Sequence, residues 1–166
     1  MTETAQPNAP GPTTEDPAAF LAAGAGRGRL IGIDAGTKTL GLALSDVNRT
    51  IASPMETIRR TKFTADATRL LGLAAEHAVT GLVLGLPRNL DGTEGPRAQA
   101  TRALARNLNK LSPLPILLWD ERLTTAEAER MLIAADQSRK RRGEVIDKLA
   151  ATIILQSAVD RLGRAG

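Results

Sequence analysis

Residues 30–46 read LIGIDAGTKTLGLALSD, and the reading of this stretch decides the fold. An apolar run from Leu30 to Ile33 ends on a carboxylate, Asp34, and passes through Ala35, Gly36, Thr37 and Lys38 into a second run. There Leu40, Leu42 and Leu44 alternate with the small residues Gly41, Ala43 and Ser45. Alternation with period two marks a strand, here with one bulky face and one that another element can approach closely. Two such runs around a glycine turn predict an antiparallel hairpin with an acid at the end of its first strand.

Asp34 has three readings at this point. It is a metal ligand of an RNase H-like nuclease; it belongs to a D-x-G-T-x-x-x-G phosphate-binding hairpin of the actin, Hsp70 and sugar-kinase type, whose glycines admit a nucleotide; or it starts the Gly36 turn and does nothing else. The rest of the chain decides among them.

At 166 residues the chain fits one domain with a substantial core, and a two-lobed kinase-like enzyme is cramped in that length. Aromatic residues make up 2%, which argues against a stacking platform for single-stranded bases. The net charge is +4, yet residues 1–26 hold Glu3, Glu15 and Asp16 and no Lys or Arg, so the remaining body carries +7 and favours a polyanion. There is no Cys, which excludes disulfides and thiolate metal sites. With no long apolar span and no leader-like segment, the chain reads as a cytoplasmic protein that does not enter a membrane.

Residues 1–28 carry Pro7, Pro10, Pro12 and Pro17 without sustained periodicity, so a disordered N-terminal tail is expected there and a single domain over 29–166. Beyond the hairpin, Ile51–Ile58 predicts a third strand, at an edge or a bulge because of Pro54. Phe63, Ala67, Leu70, Leu71 and Ala74 predict a packing helix with Asp66 off its apolar stripe. Gly81–Leu86 reads as a buried central strand. After the Asp91–Gly92 turn, a helix from Pro96 has its stripe at Ala100, Leu104, Leu108 and Leu111. Pro115–Trp119 is another buried strand and runs into Asp120-Glu121-Arg122. Thr124 and Glu127 match a capping box ahead of a helix through Ala128, Met131, Leu132 and Ala135. The basic run Arg139, Lys140, Arg141 and Arg142 precedes a last helix, Val145–Leu162, apolar around most of its circumference. Asp147 shares a face of that helix with Ala150, Ala151 and Ile154.

The order of elements describes an α/β fold, a mixed sheet of about five strands with helices on both faces. Asp34 ends the first strand, Asp120 and Glu121 end the last, and Asp147 begins the closing helix. Sites form outside strand ends, so these acids are expected to converge. Such a cluster repels itself unless cations fill it, and oxygen ligands without Cys or His suit Mg2+ or Mn2+. Two such ions stabilise the attacking and leaving oxygens in phosphodiester hydrolysis. Basic residues near these strand ends, Lys38, Arg88, Arg97 and Arg122, together with Arg139–Arg142, are the candidates for contacting nucleic acid.

Four blocks, GIDAGTKTLGLALSD, LVLGLPRNLDGTEGPRA, WDERLTTAEAERML and VIDKLAATIILQ, together resemble the signatures of the YqgF (RuvX) family, the pre-16S rRNA nucleases or Holliday-junction-resolvase-like proteins. The resemblance covers Leu30–Leu162. It implies an RNase H-like fold, a cytoplasmic bacterial protein and processing of the 5′ end of 16S rRNA during ribosome maturation. It also implies that Asp34, Glu121 and Asp147 form the catalytic, metal-binding triad, with Asp120 as an alternative or auxiliary ligand. Two departures stand out. Thr39 occupies a position where the family frequently has Arg or another polar residue, and Gly85-Leu86-Pro87 stands where junction-cutting relatives carry an acid on the central strand. The implied partner is precursor rRNA, alone or in a pre-ribosomal particle, handled by a monomer or homodimer. The alternatives are a resolvase acting on branched DNA and a ribosome-assembly factor that binds RNA without cutting it.

Overall fold

The computed structural model describes the backbone of residues 11–124 and 142–165 and the side chains of 11–124 and 148–164. The expected helix at 128–135 and its capping box, and the bases Arg139, Lys140 and Arg141, lie outside the described residues. Described elements are β1 (Thr13–Thr14), α1 (Pro17–Phe20) with a wider turn over Leu21–Ala25, β2 (Arg29–Ala35), β3 (Thr39–Ser45) and β4 (Ala52–Arg59). They continue with α2 (Phe63–Glu76), β5 (Val79–Leu86), α3 (Pro96–Leu111), β6 (Ile116–Asp120), a single turn Glu121–Leu123, and α4 (Arg142–Ala165). The strands form one sheet in the order β1-β6-β5-β2-β3-β4.

The hairpin forms as its sequence demands. β2 and β3 pair antiparallel, with Asp34 opposite Gly41, and Gly36 N–H closes the turn on Thr39 O at 2.8 Å. β2 then pairs parallel with β5, and β5 with β6, through connections that carry α2 and α3. β4 is the outer strand next to β3, and its register shifts beside Pro54, so the proline has both the edge and the bulge that its missing N–H requires.

Alternation along the strands divides the core into two layers. Ile31, Ile33, Leu40, Leu42, Leu82 and Leu84 face α2 and α3. Leu30, Ala43, Val83, Leu117 and Trp119 face α4. The small-residue face of β3 is therefore the one that α4 covers. At Gly32 the approach is so close that a Cβ would lie 2.6 Å from Leu155 Cβ and 3.0 Å from Ala151 O. Gln156 anchors the helix to the far edge by accepting from Ala52 N–H at 2.8 Å and donating to Thr50 O at 3.1 Å.

Three expectations are corrected. The tail expected over 1–28 is, from residue 11 onward, an arm built into the domain. β1 adds to β6 as a parallel strand, Ile116 N–H bonds Pro12 O at 2.9 Å, and Phe20 is fully buried. The edge of β6 supplies unpaired backbone groups and Gly81 leaves the space that the Phe20 ring fills, so few residues are needed to hold the arm. In α2, Asp66 is buried, because its carboxylate accepts from Thr61 N–H and Oγ1 ahead of the helix. In α3 the buried stripe is Ala98, Thr101, Leu104, Ala105 and Leu108, while Ala100 and Leu111 are exposed; the small residues let this face lie close to the sheet. Among the described residues, no helix is long and apolar enough to cross a membrane. Phe20→Ala is expected to lower stability by about 3–5 kcal/mol, the usual cost of emptying a phenylalanine site; a urea midpoint unchanged from wild type returns the arm to the status of a dispensable tail.

Candidate active site

Asp34 is the sixth residue of β2 and shares the α4 face with Leu30 and Gly32, since strand side chains alternate. It is half-buried and engaged with its surroundings. Glu121 follows β6 directly. Its Oε2 atom stands 2.8 Å from where a Cβ on Gly85 would lie, beside Ile154 Cδ1 at 2.6 Å from the same point. The carboxylate thus occupies the space above the central strand, which is open because residue 85 has no side chain. Burial pushes the Glu121 carboxyl up to about 7, and the negative charge of Asp34 adds to the rise, with Asp120 a lesser contributor; the positive charge of Arg97 opposes it. The two acids sense each other across the ends of β2 and β6.

Asp147 stands on the described backbone of α4, and its side chain lies outside the described residues, as does that of Arg142. The helix runs antiparallel to β2: Gln156 meets Ala52 near the start of β2, and Ala151 lies against Gly32. Position 147 is one turn, about 6 Å, nearer the carboxyl end of β2, where Asp34 lies. Among the described residues, no group of three acids or histidines is assembled in a form that holds a metal ion. Asp34 and Glu121 are the pair that the described residues supply.

The other acid of the strand end has different company. Asp120 accepts from the Arg122 guanidinium at 2.7 Å and backbone N–H at 3.0 Å and pairs with Arg88 at 3.3 Å; chiefly through the Arg122 bond, its carboxyl is held down to about 2. Arg88 also pairs with Glu15 and Glu94, and Arg102 pairs with the same two acids. Glu94 is likewise held at about 2, first by Arg102. Arg88 and Arg122, candidates for nucleic-acid contact, therefore face carboxylates. Lys38 is exposed at the hairpin turn, and Arg97, exposed on the first turn of α3, donates to Ala35 O at 2.7 Å.

Sequence reasoning passed over two groups. Arg60 donates to Gly36 O at 2.6 Å, and its N–H bonds Lys38 O, so it grips the turn that follows Asp34. The signal was the basic pair Arg59–Arg60 ending the strand that must return beside the Gly36 turn. Glu15, placed in the supposed tail, supplies a carboxylate to the arginine network, and nothing local announced that.

A model described as "RuvX: Holliday junction resolvase" matches residues 28–161. The chain belongs to the RuvX family. Among its relatives, a protein of Cereibacter sphaeroides (strain ATCC 17025 / ATH 2.4.3) is 63% identical over 89% of this chain and 92% of that protein. One of Paracoccus denitrificans (strain Pd 1222) is 64% identical over 81% and 85%. Both carry the name "Putative pre-16S rRNA nuclease". Among solved structures, T. thermophilus RuvC in complex with a Holliday junction substrate superposes with a TM-score of 0.52 at 16% identity, covering 82% of this chain and 96% of that one. That likeness establishes the RuvC-like, RNase H-like fold of this RuvX-family chain.

Two outcomes follow from the position of Glu121. Between about pH 4.5 and 7 the folded protein binds a proton that the unfolded chain has released, so stability falls as pH rises through this window. Without divalent cations, Glu121→Gln is expected to match wild type at pH 4 and to exceed it at pH 8 by up to about 3 kcal/mol; equal unfolding midpoints at both pH values refute the burial. Gly85→Ala is expected to fold, because both atoms it meets end flexible side chains, and to displace the carboxylate toward solvent, returning the Glu121 titration, read by NMR, toward the ordinary carboxylate range.

Proposed function

We propose that this RuvX-family protein is a metal-dependent endonuclease that hydrolyses phosphodiester bonds in the 5′-end processing of pre-16S rRNA, acting in the cytoplasm on the precursor or a pre-ribosomal particle. The observation that carries the reading is the pairing of Asp34 with Glu121 on the α4 face, beyond the carboxyl ends of parallel strands. The names borne by relatives over 60% identical support the choice of substrate.

The donor set fits a hard divalent cation. Asp34 and Glu121 offer oxygen only, and the rise of Glu121 to about 7 records the repulsion and desolvation that a cation relieves. Asp34, Glu121 and Asp147 are the residues that would hold Mg2+ or Mn2+. A divalent ion held there would supply Lewis-acid activation of water and charge neutralisation at the leaving oxygen. The chain itself contributes three things. Gly85 and Ile154 set the height of the Glu121 carboxylate above β5, and α4 shields that carboxylate from bulk water. Lys38 at the turn presents positive charge to the phosphate that enters over the acids, and Arg97 beside Ala35 adds positive charge at the border of the site.

The description of the family model favours a second reading, resolution of four-way DNA junctions, which calls for two sites about a two-fold axis and hence a homodimer. The test compares a 5′-extended 16S rRNA precursor with a four-way junction, each with Mg2+ or Mn2+, for wild type and Asp34→Asn. Cutting of the RNA, reduced roughly a hundredfold or more by the substitution, is the expected result. Cutting of the junction alone moves the protein to recombination, and cutting of neither substrate leaves a role in binding RNA without cleavage.

A further inference from the structure

The arginines around the carboxyl end of β2 fall into two sets. Arg88, Arg102 and Arg122 are each paired with carboxylates, at distances of 2.6–3.3 Å, so their charges are largely cancelled within the protein. Arg60 and Arg97 form no ion pair with a described carboxylate. Each donates instead to a main-chain carbonyl, and the two carbonyls are consecutive: Arg97 Nη2 to Ala35 O at 2.7 Å and Arg60 Nη1 to Gly36 O at 2.6 Å. A carbonyl fixes a guanidinium in place without neutralising it, and one such bond leaves further N–H donors of the five available. Two positive charges are thereby held on either side of the turn that begins two residues beyond Asp34.

Between them lies a small cleft of about 60 Å3, with Gly36, Thr37, Ala100 and Thr101 in its lining. That volume is far below the roughly 300 Å3 at which drug-sized ligands begin to fit, so the cleft has no room for a nucleoside. Its cationic walls suit a compact anion. Planar guanidinium groups match the oxygens of a phosphate in a bidentate manner. The position is also constrained from the other side. The seat adjoins the backbone of Ala35 and Gly36, whereas the reacting phosphate must sit over the Asp34 and Glu121 side chains on the α4 face.

We propose that Arg60 and Arg97 form a phosphate seat that binds a backbone phosphate neighbouring the one cleaved, so that the bound strand is held in register over the acids. The proposal rests on the nuclease reading and adds to it a second anchoring point and a residue, Arg60, that positions substrate. It also states which cations contact the polynucleotide: the pair bound to carbonyls, ahead of the arginines already matched with acids.

The test uses full-length protein carrying Asp34→Asn, so that binding is read without cleavage, and the 5′-extended 16S precursor and the four-way junction as probes over a KCl series. Arg60→Gln and Arg97→Gln each remove the charge while keeping an N–H donor for the carbonyl, and Arg60→Lys keeps the charge. Each Gln variant is expected to lower the slope of log affinity against log salt by about 0.7–0.9, and the double variant by about twice that, with Arg60→Lys near the parent value. Slopes unchanged in both Gln variants while the parent binds overturn the seat alone. Lower melting temperatures with unchanged slopes assign the two arginines to clamping the hairpin and likewise overturn it. A parent that binds neither nucleic acid overturns the nuclease reading and the seat together.

Discussion

The closing helix lies against the sheet at Gly32 and Gly85, where the strands lack side chains. At Gly32 a methyl group would meet the helix's own Ala151 carbonyl and the Leu155 Cβ, atoms that cannot move without moving the helix. The separation of α4 from β2 is therefore set by the absence of one side chain, and with it the height of everything that projects from the helix over the ends of β2, β5 and β6. At Gly85 the same absence makes room for a carboxylate from a neighbouring strand. The position that a central-strand acid would take is filled by Glu121, arriving from the turn after β6.

Electrostatics then separates two regions that are adjacent in space. On one side, Glu15, Glu94 and Asp120 interleave with Arg88, Arg102 and Arg122, whose bonds hold the Glu94 and Asp120 carboxyls at about 2. On the other, Asp34 and Glu121 face each other with the charge of Arg97 as partial relief, and Glu121 is driven toward neutrality. The first arrangement is self-sufficient and welds the arm, the loop after β5 and the turn after β6 together. In the second, burial and the neighbouring charge of Asp34 set Glu121 apart from those carboxylates, a perturbation of the kind that clusters at functional sites.

Membership of the RuvX family and the likeness to RuvC meet in one architecture. Relatives at 60% identity and above extend along most of the chain, while the RuvC likeness, at 16% identity, is a likeness of fold. This chain has Asp34 at the end of β2, glycine at position 85 on the central strand, and Glu121 reaching over that glycine from the turn after β6.

Much of this could be read directly from residues. The hairpin, the buried strands, the long apolar helix and the acids at strand ends are encoded by periodicities within ten or twenty residues, because alternation and helical spacing are local consequences of backbone geometry. The order of the acids along the chain was enough to predict that Asp34 and Glu121 come within reach of each other; Asp120 goes to the arginines instead. What needed the tertiary structure was every choice among remote partners. The arm looked like a tail because proline and small residues dominate it, yet an open strand edge and a hole above Gly81 bind it. Asp120 and Glu121 are neighbours with the same chemistry, and only the direction of the chain leaving β6 sends one to the arginines and the other over Gly85. Arg60 and Arg88 read alike as basic residues after strands, and they differ because one lands beside a carbonyl and the other among acids. Local pattern determines which elements form, since it acts through neighbouring residues; which charges are cancelled and which stay available is decided by long-range contacts, and these exist only once the sheet has closed.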